Sequence, residues 1–148
     1  MPGKSLTPWL GFLRDVDRAL NRSVDVPCLG GFVLIARRHS LCFHRVTIAE
    51  FPEGYASRLI DVTPRGFKRL RLRAFEIHDL ELAKLGRNSA RDRADVEFLV
   101  RKGLVDQDVL EKRYEAELRP YVLNEDRHTT TLRLWLGEFF GEKGGTAN

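Results

Sequence analysis

The stretch from Arg69 to Phe75 constrains the fold of this chain more than any other. Leu70, Leu72 and Ala74 alternate with Arg69, Arg71 and Arg73. A period of two puts the apolar set on one face of a strand and the arginines on the other. Such a strand needs a sheet for its backbone and an apolar layer for its buried face. Helical spacing precedes it: Phe12, Leu13, Val16 and Leu20 recur behind Thr7-Pro8, an N-cap followed by proline at the first helical position, which predicts a helix from Thr7 to about Asn21. Asp25 to Leu29 reads as a short strand leading into Gly30-Gly31 and the apolar segment Phe32 to Ala36. Leu41 to Ala49 reads as a strand rich in aromatic and β-branched residues. Pro52 to Leu59 reads as helical, and Asp61 to Phe67 as a turn region holding Pro64 and Gly66.

Beyond Asp79 the patterns are helical. A short helix covers Asp79 to Gly86, with Leu80, Ala83 and Leu85 as its apolar side. Ser89, with Asp92 three residues on, forms a capping box and opens a helix ending at Gly103. Asp106 caps another that runs through Leu110, Tyr114 and Leu118 to Pro120. The last begins at Thr129 or Thr130, with Leu132, Trp135, Leu136 and Phe139 as its stripe. Strands early and helices late predict a single α+β domain over 1–140, followed by a disordered tail at 141–148.

Composition excludes several classes. With 148 residues, 43% of them hydrophobic, the chain can bury a real core and is neither fibrous nor disordered. No apolar run approaches the ~20 residues of a membrane helix. The opening segment is interrupted by Arg14, Asp15 and Asp17, unlike a signal peptide. Cys28 and Cys42 are too few for a disulfide framework and suit a reducing cytoplasm. A net charge of +4 raises the expectation of a nucleic-acid partner only slightly.

Two segments carry a resemblance. Leu29-Gly30-Gly31-Phe32 falls between a strand and a helix. Asp79-Leu80-Glu81-Leu82-Ala83-Lys84-Leu85 is followed closely by Arg91-Asp92-Arg93-Ala94-Asp95-Val96. Together with the closing Leu132-Arg133-Leu134-Trp135, these resemble the nucleotidyltransferase superfamily, and within it the bacterial branch related to abortive-infection type IV toxins. From Val46 onward the whole chain resembles small members of that branch. The resemblance implies a small mixed sheet followed by a helical part. It also implies transfer of a nucleotide from an Mg²⁺-bound NTP to an RNA or protein acceptor, and a cognate toxin or antitoxin partner. Gly30, Gly31 and Lys84 take the nucleotide-binding positions, and Asp92 and Asp95 the catalytic ones, where they would orient Lys84.

The chain departs from the family at one point. Two-metal transfer uses paired carboxylates to stabilise the attacking and leaving oxygens, and the family sets them as Asp-x-Asp on the strand after the glycines. Here no acidic residue lies between Asp25 and Glu50, as if that strand had been lost and the break closed by Ala36-Arg37-Arg38-His39. Asp15 and Asp17 are no substitute, because helical residues two apart diverge by about 200°. Glu50 and Asp61 belong to no chelating pair. No metal ligand is assigned.

Structural readings stand beside the functional ones. Lys84 near a helix C-terminus complements the macrodipole, and Asp92 in a first turn is a cap. The row of Arg69, Arg71 and Arg73, with Arg65 and Lys68 just before it, could track a phosphate backbone; a solvated edge strand guarded by charge gives the same pattern. No aromatic residue interleaves the row for base stacking. Cys28, His39, Cys42 and His44 have zinc-ligand chemistry without zinc-ligand spacing. Three functions follow: a nucleotidyltransferase, a catalytically dead RNA- or protein-binding module of toxin–antitoxin type, or a poorly folded remnant of a disrupted gene.

Overall fold

A computed structural model of the chain describes residues 7–28 and 50–141. Gly30, Gly31, His39, Cys42 and His44, the segment expected as the strand Leu41 to Ala49, and the tail after Gly141 lie outside the described residues. The described residues form two compact units, one of 7–28 with 57–76 and the other of 50–56 with 77–141.

The first unit holds α1 (Thr7–Ala19), β1 (Val24–Cys28), β2 (Ile60–Asp61) and β3 (Leu70–Ala74). β3 lies between the other two strands. It runs parallel to β1, with Val24 opposite Leu70 and Cys28 opposite Ala74, and antiparallel to β2, with Asp61 opposite Arg73. The alternating strand is therefore central in this sheet and not an edge. Its inner residues Leu70, Leu72 and Ala74 are buried, and Leu13 of α1 joins Leu70 and Leu72 in a core surrounded by Val16, Leu20, Val26, Val62 and Phe67. α1 ends at Ala19, two residues before the expected Asn21, although the Leu20 N–H still reaches the Val16 carbonyl.

The helical divergence of Asp15 and Asp17 is plain. Asp15 is exposed and pairs with Arg18 at 3.4 Å. Asp17 turns inward, and its carboxylate accepts the backbone N–H groups of Lys68, Arg69 and Leu70 at 3.0, 2.6 and 2.6 Å. It therefore ties α1 to the start of β3, and those three hydrogen bonds hold its carboxyl below the ordinary range.

The stretch expected as a helix from Pro52 to Leu59 is instead a 3₁₀ segment, Glu53–Arg58. A run this short closes by i to i+3 bonds, here from the Tyr55 N–H to the Pro52 carbonyl.

The helices of the second unit are α2 (Ile77–Leu82), α3 (Ala90–Arg101), α4 (Gln107–Arg113) and α5 (Glu125–Phe140). α2 stops four residues before the expected Gly86, where Lys84 and Leu85 N–H groups bond back three residues to Glu81 and Leu82. Gly86 is required there: a Cβ would stand 2.9 Å from Nε2 of the buried His128. The capping box at Ser89 is complete, with Ser89 Oγ accepting the Asp92 N–H and Asp92 accepting the Ser89 N–H. Gly103, at φ +67°, follows the end of α3 in the left-handed region that glycine tolerates. Asp106 caps α4 through the Val109 N–H.

The helix expected to run on to Pro120 changes type instead, to a π turn over Tyr114–Leu118 and a 3₁₀ turn over Arg119–Tyr121. α5 starts four residues ahead of Thr129, because Asn124 caps it by accepting the Arg127 N–H and Glu125 and Asp126 complement its dipole. Leu85, Val96, Leu110, Tyr114, Leu118 and Trp135 form the buried centre, where the Trp135 indole donates to Asn88 at 3.0 Å. The architecture is α+β, a small mixed sheet with a larger helical part. Among the described residues no helix is long and apolar enough to cross a membrane.

Candidate functional site

The charged residues of the second unit converge because the tight turn after α2 points its side chains at the start of α3. Lys84 is 4% exposed, and its ammonium donates to Asp95 at 2.9 Å. The Asp95 side chain keeps 25% exposure, so this ion pair has one open side.

Asp92 is buried and fully engaged. Arg87 grips it with two N–H bonds of 2.7 and 2.5 Å, and the Ser89 hydroxyl adds another at 2.7 Å. Burial pushes the Asp92 carboxyl up, but these hydrogen bonds outweigh it and hold it at about 2. This bidentate grip is the strong form of an arginine–carboxylate contact.

Glu81 is the anomaly. It is wholly buried, and neither carboxylate oxygen has a hydrogen-bond partner. Burial pushes its carboxyl up to about 8; the Lys84 ammonium pulls against this, and the Asp95 and Asp92 charges push with it. At neutral pH Glu81 is an uncharged acid set beside a charged pair. A charged and unpaired carboxylate there would be far more costly.

Two further contacts fix this arrangement. Asp79, fully buried, accepts from Arg113 of α4 at 3.1 Å. His78 Nε2 accepts the Asp106 N–H at 2.8 Å and so fastens α2 to the cap of α4. Under the Gly86 turn, the His128 ring stands between Glu50, 2.8 Å from Nε2, and the Asn124 carbonyl, 2.7 Å from Nδ1.

Of the residues singled out from sequence, the structure brings Lys84 and Asp95 into contact; Asp92, expected to orient Lys84, is instead held by Arg87 and Ser89. Arg91 is exposed. Gly30 and Gly31 lie outside the described residues, as do three members of the cysteine–histidine set. Glu81 and Arg87 were not singled out. Their signals were present: Glu81 stands three residues before Lys84, one helical turn away, and Arg87 immediately precedes the Asn88-Ser89 cap.

The arginine row in the first unit is divided. Arg69 donates to the Leu20 carbonyl. Arg73 stands 3.9 Å from both Asp25 on β1 and Asp61 on β2. Arg71 faces an open cleft of about 420 Å³ together with Arg65 and Lys68.

The donor set does not fit a divalent cation. Among the described residues no three His, Cys, Asp or Glu side chains come together to hold a metal. The carboxylates around Lys84 are engaged by Lys84, Arg87 and Arg113, or buried without charge. Residues 16–141 match the family described as "Nucleotidyltransferase of unknown function (DUF6036)". No curated protein and no solved structure matches the chain.

Proposed function

Since the chain belongs to this family of nucleotidyltransferases of unknown function, we propose that it takes a nucleoside triphosphate, carried as its Mg²⁺ complex, at Lys84 and transfers the nucleotide to an RNA or protein acceptor. The observation that supports this reading is the Lys84–Asp95 pair, a buried ammonium held at 2.9 Å by a single, partly open carboxylate. A triphosphate offers that ammonium a higher charge density than Asp95 does, and a compact lysine suits such an exchange. Asp95 then orients Lys84. Asp92 and Arg87 hold the start of α3 in place, and the family resemblance puts Gly30 and Gly31 beside the phosphates. In the transfer an acceptor hydroxyl loses its proton and bonds to the α-phosphorus, while the bond to the β-phosphate oxygen breaks and pyrophosphate leaves.

Incubation with α-labelled NTPs, Mg²⁺ and total bacterial RNA or protein tests the reading. Label is expected in an acceptor, with strong loss in Lys84→Met and in Asp95→Asn. Undiminished labelling by folded Lys84→Met contradicts the assignment.

One observation favours a second reading. No acid lies between Asp25 and Glu50, where the family would carry its metal carboxylates. On this reading the chain is a non-catalytic RNA- or protein-binding module of a bacterial toxin–antitoxin pair, acting in the cytoplasm. Thermal melts separate the two. A ligand at a hundred times Kd adds about 2.7 kcal/mol and several degrees to a nucleotide-binding protein; a binding module is unmoved by Mg-NTP and is stabilised by its macromolecular partner.

A further inference from the structure

The five cations between residues 65 and 73 differ in what they face. Arg69 is turned to the Leu20 carbonyl at the end of α1. Arg73 stands between carboxylates on the two neighbouring strands. Arg65, Lys68 and Arg71 are exposed, and all three line the 420 Å³ cleft, with Phe67 and Leu70 among its walls. Among the described residues Asp61 is the acid that lines it, and that carboxylate already accepts the Thr63 N–H at 2.9 Å. The described lining therefore carries three positive charges against one negative.

We propose that this cleft is a phosphodiester-binding site, on which the RNA acceptor lays its backbone. It deepens the acceptor half of the proposed function and rests on the choice of RNA as that acceptor.

The chemistry of the walls selects this ligand class. Several backbone N–H groups along the cleft are already committed. Those of Lys68, Arg69 and Leu70 donate to Asp17, that of Thr63 to Asp61, and that of Leu72 to the Thr63 hydroxyl. Recognition falls to three long cationic side chains, whose phosphate contacts position a strand without reading its bases. Among the described residues Phe67 is the aromatic side chain lining the cleft, and it packs, partly buried, against the Leu13, Leu70 and Leu72 core. Binding should then be indifferent to base and sensitive to salt. The Asp17 bonds hold the backbone of Lys68 to Leu70 in place, so along this stretch only side chains need ordering when the strand arrives.

Fluorescence anisotropy on the full chain, with labelled oligouridine and oligoadenosine RNAs, tests this. Both are expected to bind equally, and affinity should fall roughly tenfold to twentyfold between ~50 and ~200 mM salt, as three phosphate contacts on a single strand require. The triple variant Arg65→Ala, Lys68→Ala, Arg71→Ala should lose at least about tenfold in affinity at low salt and most of the salt dependence. Arg65→Lys with Arg71→Lys, which keeps the charge, should bind nearly as well as wild type. Three results overturn the proposal: RNA binding by the triple variant equal to wild type, no RNA binding by wild type at low salt, or Mg-ATP displacing the strand from the cleft at equal affinity. If the triple variant still labels a protein acceptor while RNA no longer binds, the transfer reading stands independently of this cleft.

Discussion

Asp17 in the first unit and Glu81 in the second are both buried acids, treated in opposite ways. Asp17 accepts three backbone N–H groups and is held below the ordinary carboxylate range; Glu81 accepts none and is pushed up to about 8. The cations differ in the same sense. Those lining the cleft of the first unit are exposed, whereas Lys84 is 4% exposed. A fully satisfied acid fastens a helix to a strand and asks for nothing more. An unsatisfied acid beside a buried ion pair breaks the rule that buried polar groups are paired, and such breaks cluster at functional sites. On the proposed reading the second unit carries the chemistry, and the first offers a surface.

Removing the buried cation should have the largest effect. Lys84→Met leaves Asp95 without its partner and takes away the charge that pulls the Glu81 carboxyl down. Breaking such a pair costs about 3–5 kcal/mol, readable by urea unfolding; a cost below about 1 kcal/mol would place the pair among solvent-screened contacts.

Glu81→Gln comes next. Below pH 4.5 Glu81 is protonated in both states. Between 4.5 and about 8 the unfolded chain ionises it while the folded chain keeps the proton. The unfolded state binds fewer protons across that window, so stability falls as pH rises through it and levels off above. The wild-type loss should be a few kcal/mol in order of magnitude, and Glu81→Gln should flatten the slope.

Asp17→Asn should affect the opposite limb. Its folded carboxyl lies below 3.8, so the stability it contributes is present above that pH and is lost as pH falls beneath it. The variant should melt lower at neutral pH and lose less on acidification. Ser89→Ala should be the mildest, costing about 1 kcal/mol for the cap of α3. It should also weaken the Asp92 network, seen as a rise in the Asp92 carboxyl from about 2.

Local signals made part of this legible in the sequence. The alternation of Leu70, Leu72 and Ala74 fixes a strand with one buried face, and Ser89 with Asp92 fixes a capping box, because both depend on residues close in the chain. Of the three residues that the family resemblance groups, Lys84 and Asp95 meet, while Asp92 belongs to the cap of α3 with Arg87 and Ser89. That β3 is central follows only from pairing with β1 and β2, which its own residues do not encode. The partners of Arg73 depend on the same pairing, and that of Arg69 on where the end of α1 lies. α5 starts ahead of Thr129 because Asn124 caps it through the Arg127 N–H and the two acids that follow complement its dipole. Glu81 escaped notice because a glutamate on a short helix ordinarily faces water, and only the packing of the second unit buries it.

A ¹³C-detected titration of the Glu81 side-chain carboxyl in the native protein tests the contrast between the two buried acids most directly. A midpoint near 8 is expected, with the Lys84–Asp95 pair intact on both sides of it. A midpoint at the ordinary 4.5 would show Glu81 solvated or hydrogen-bonded, and would contradict an unpaired acid at the heart of the second unit.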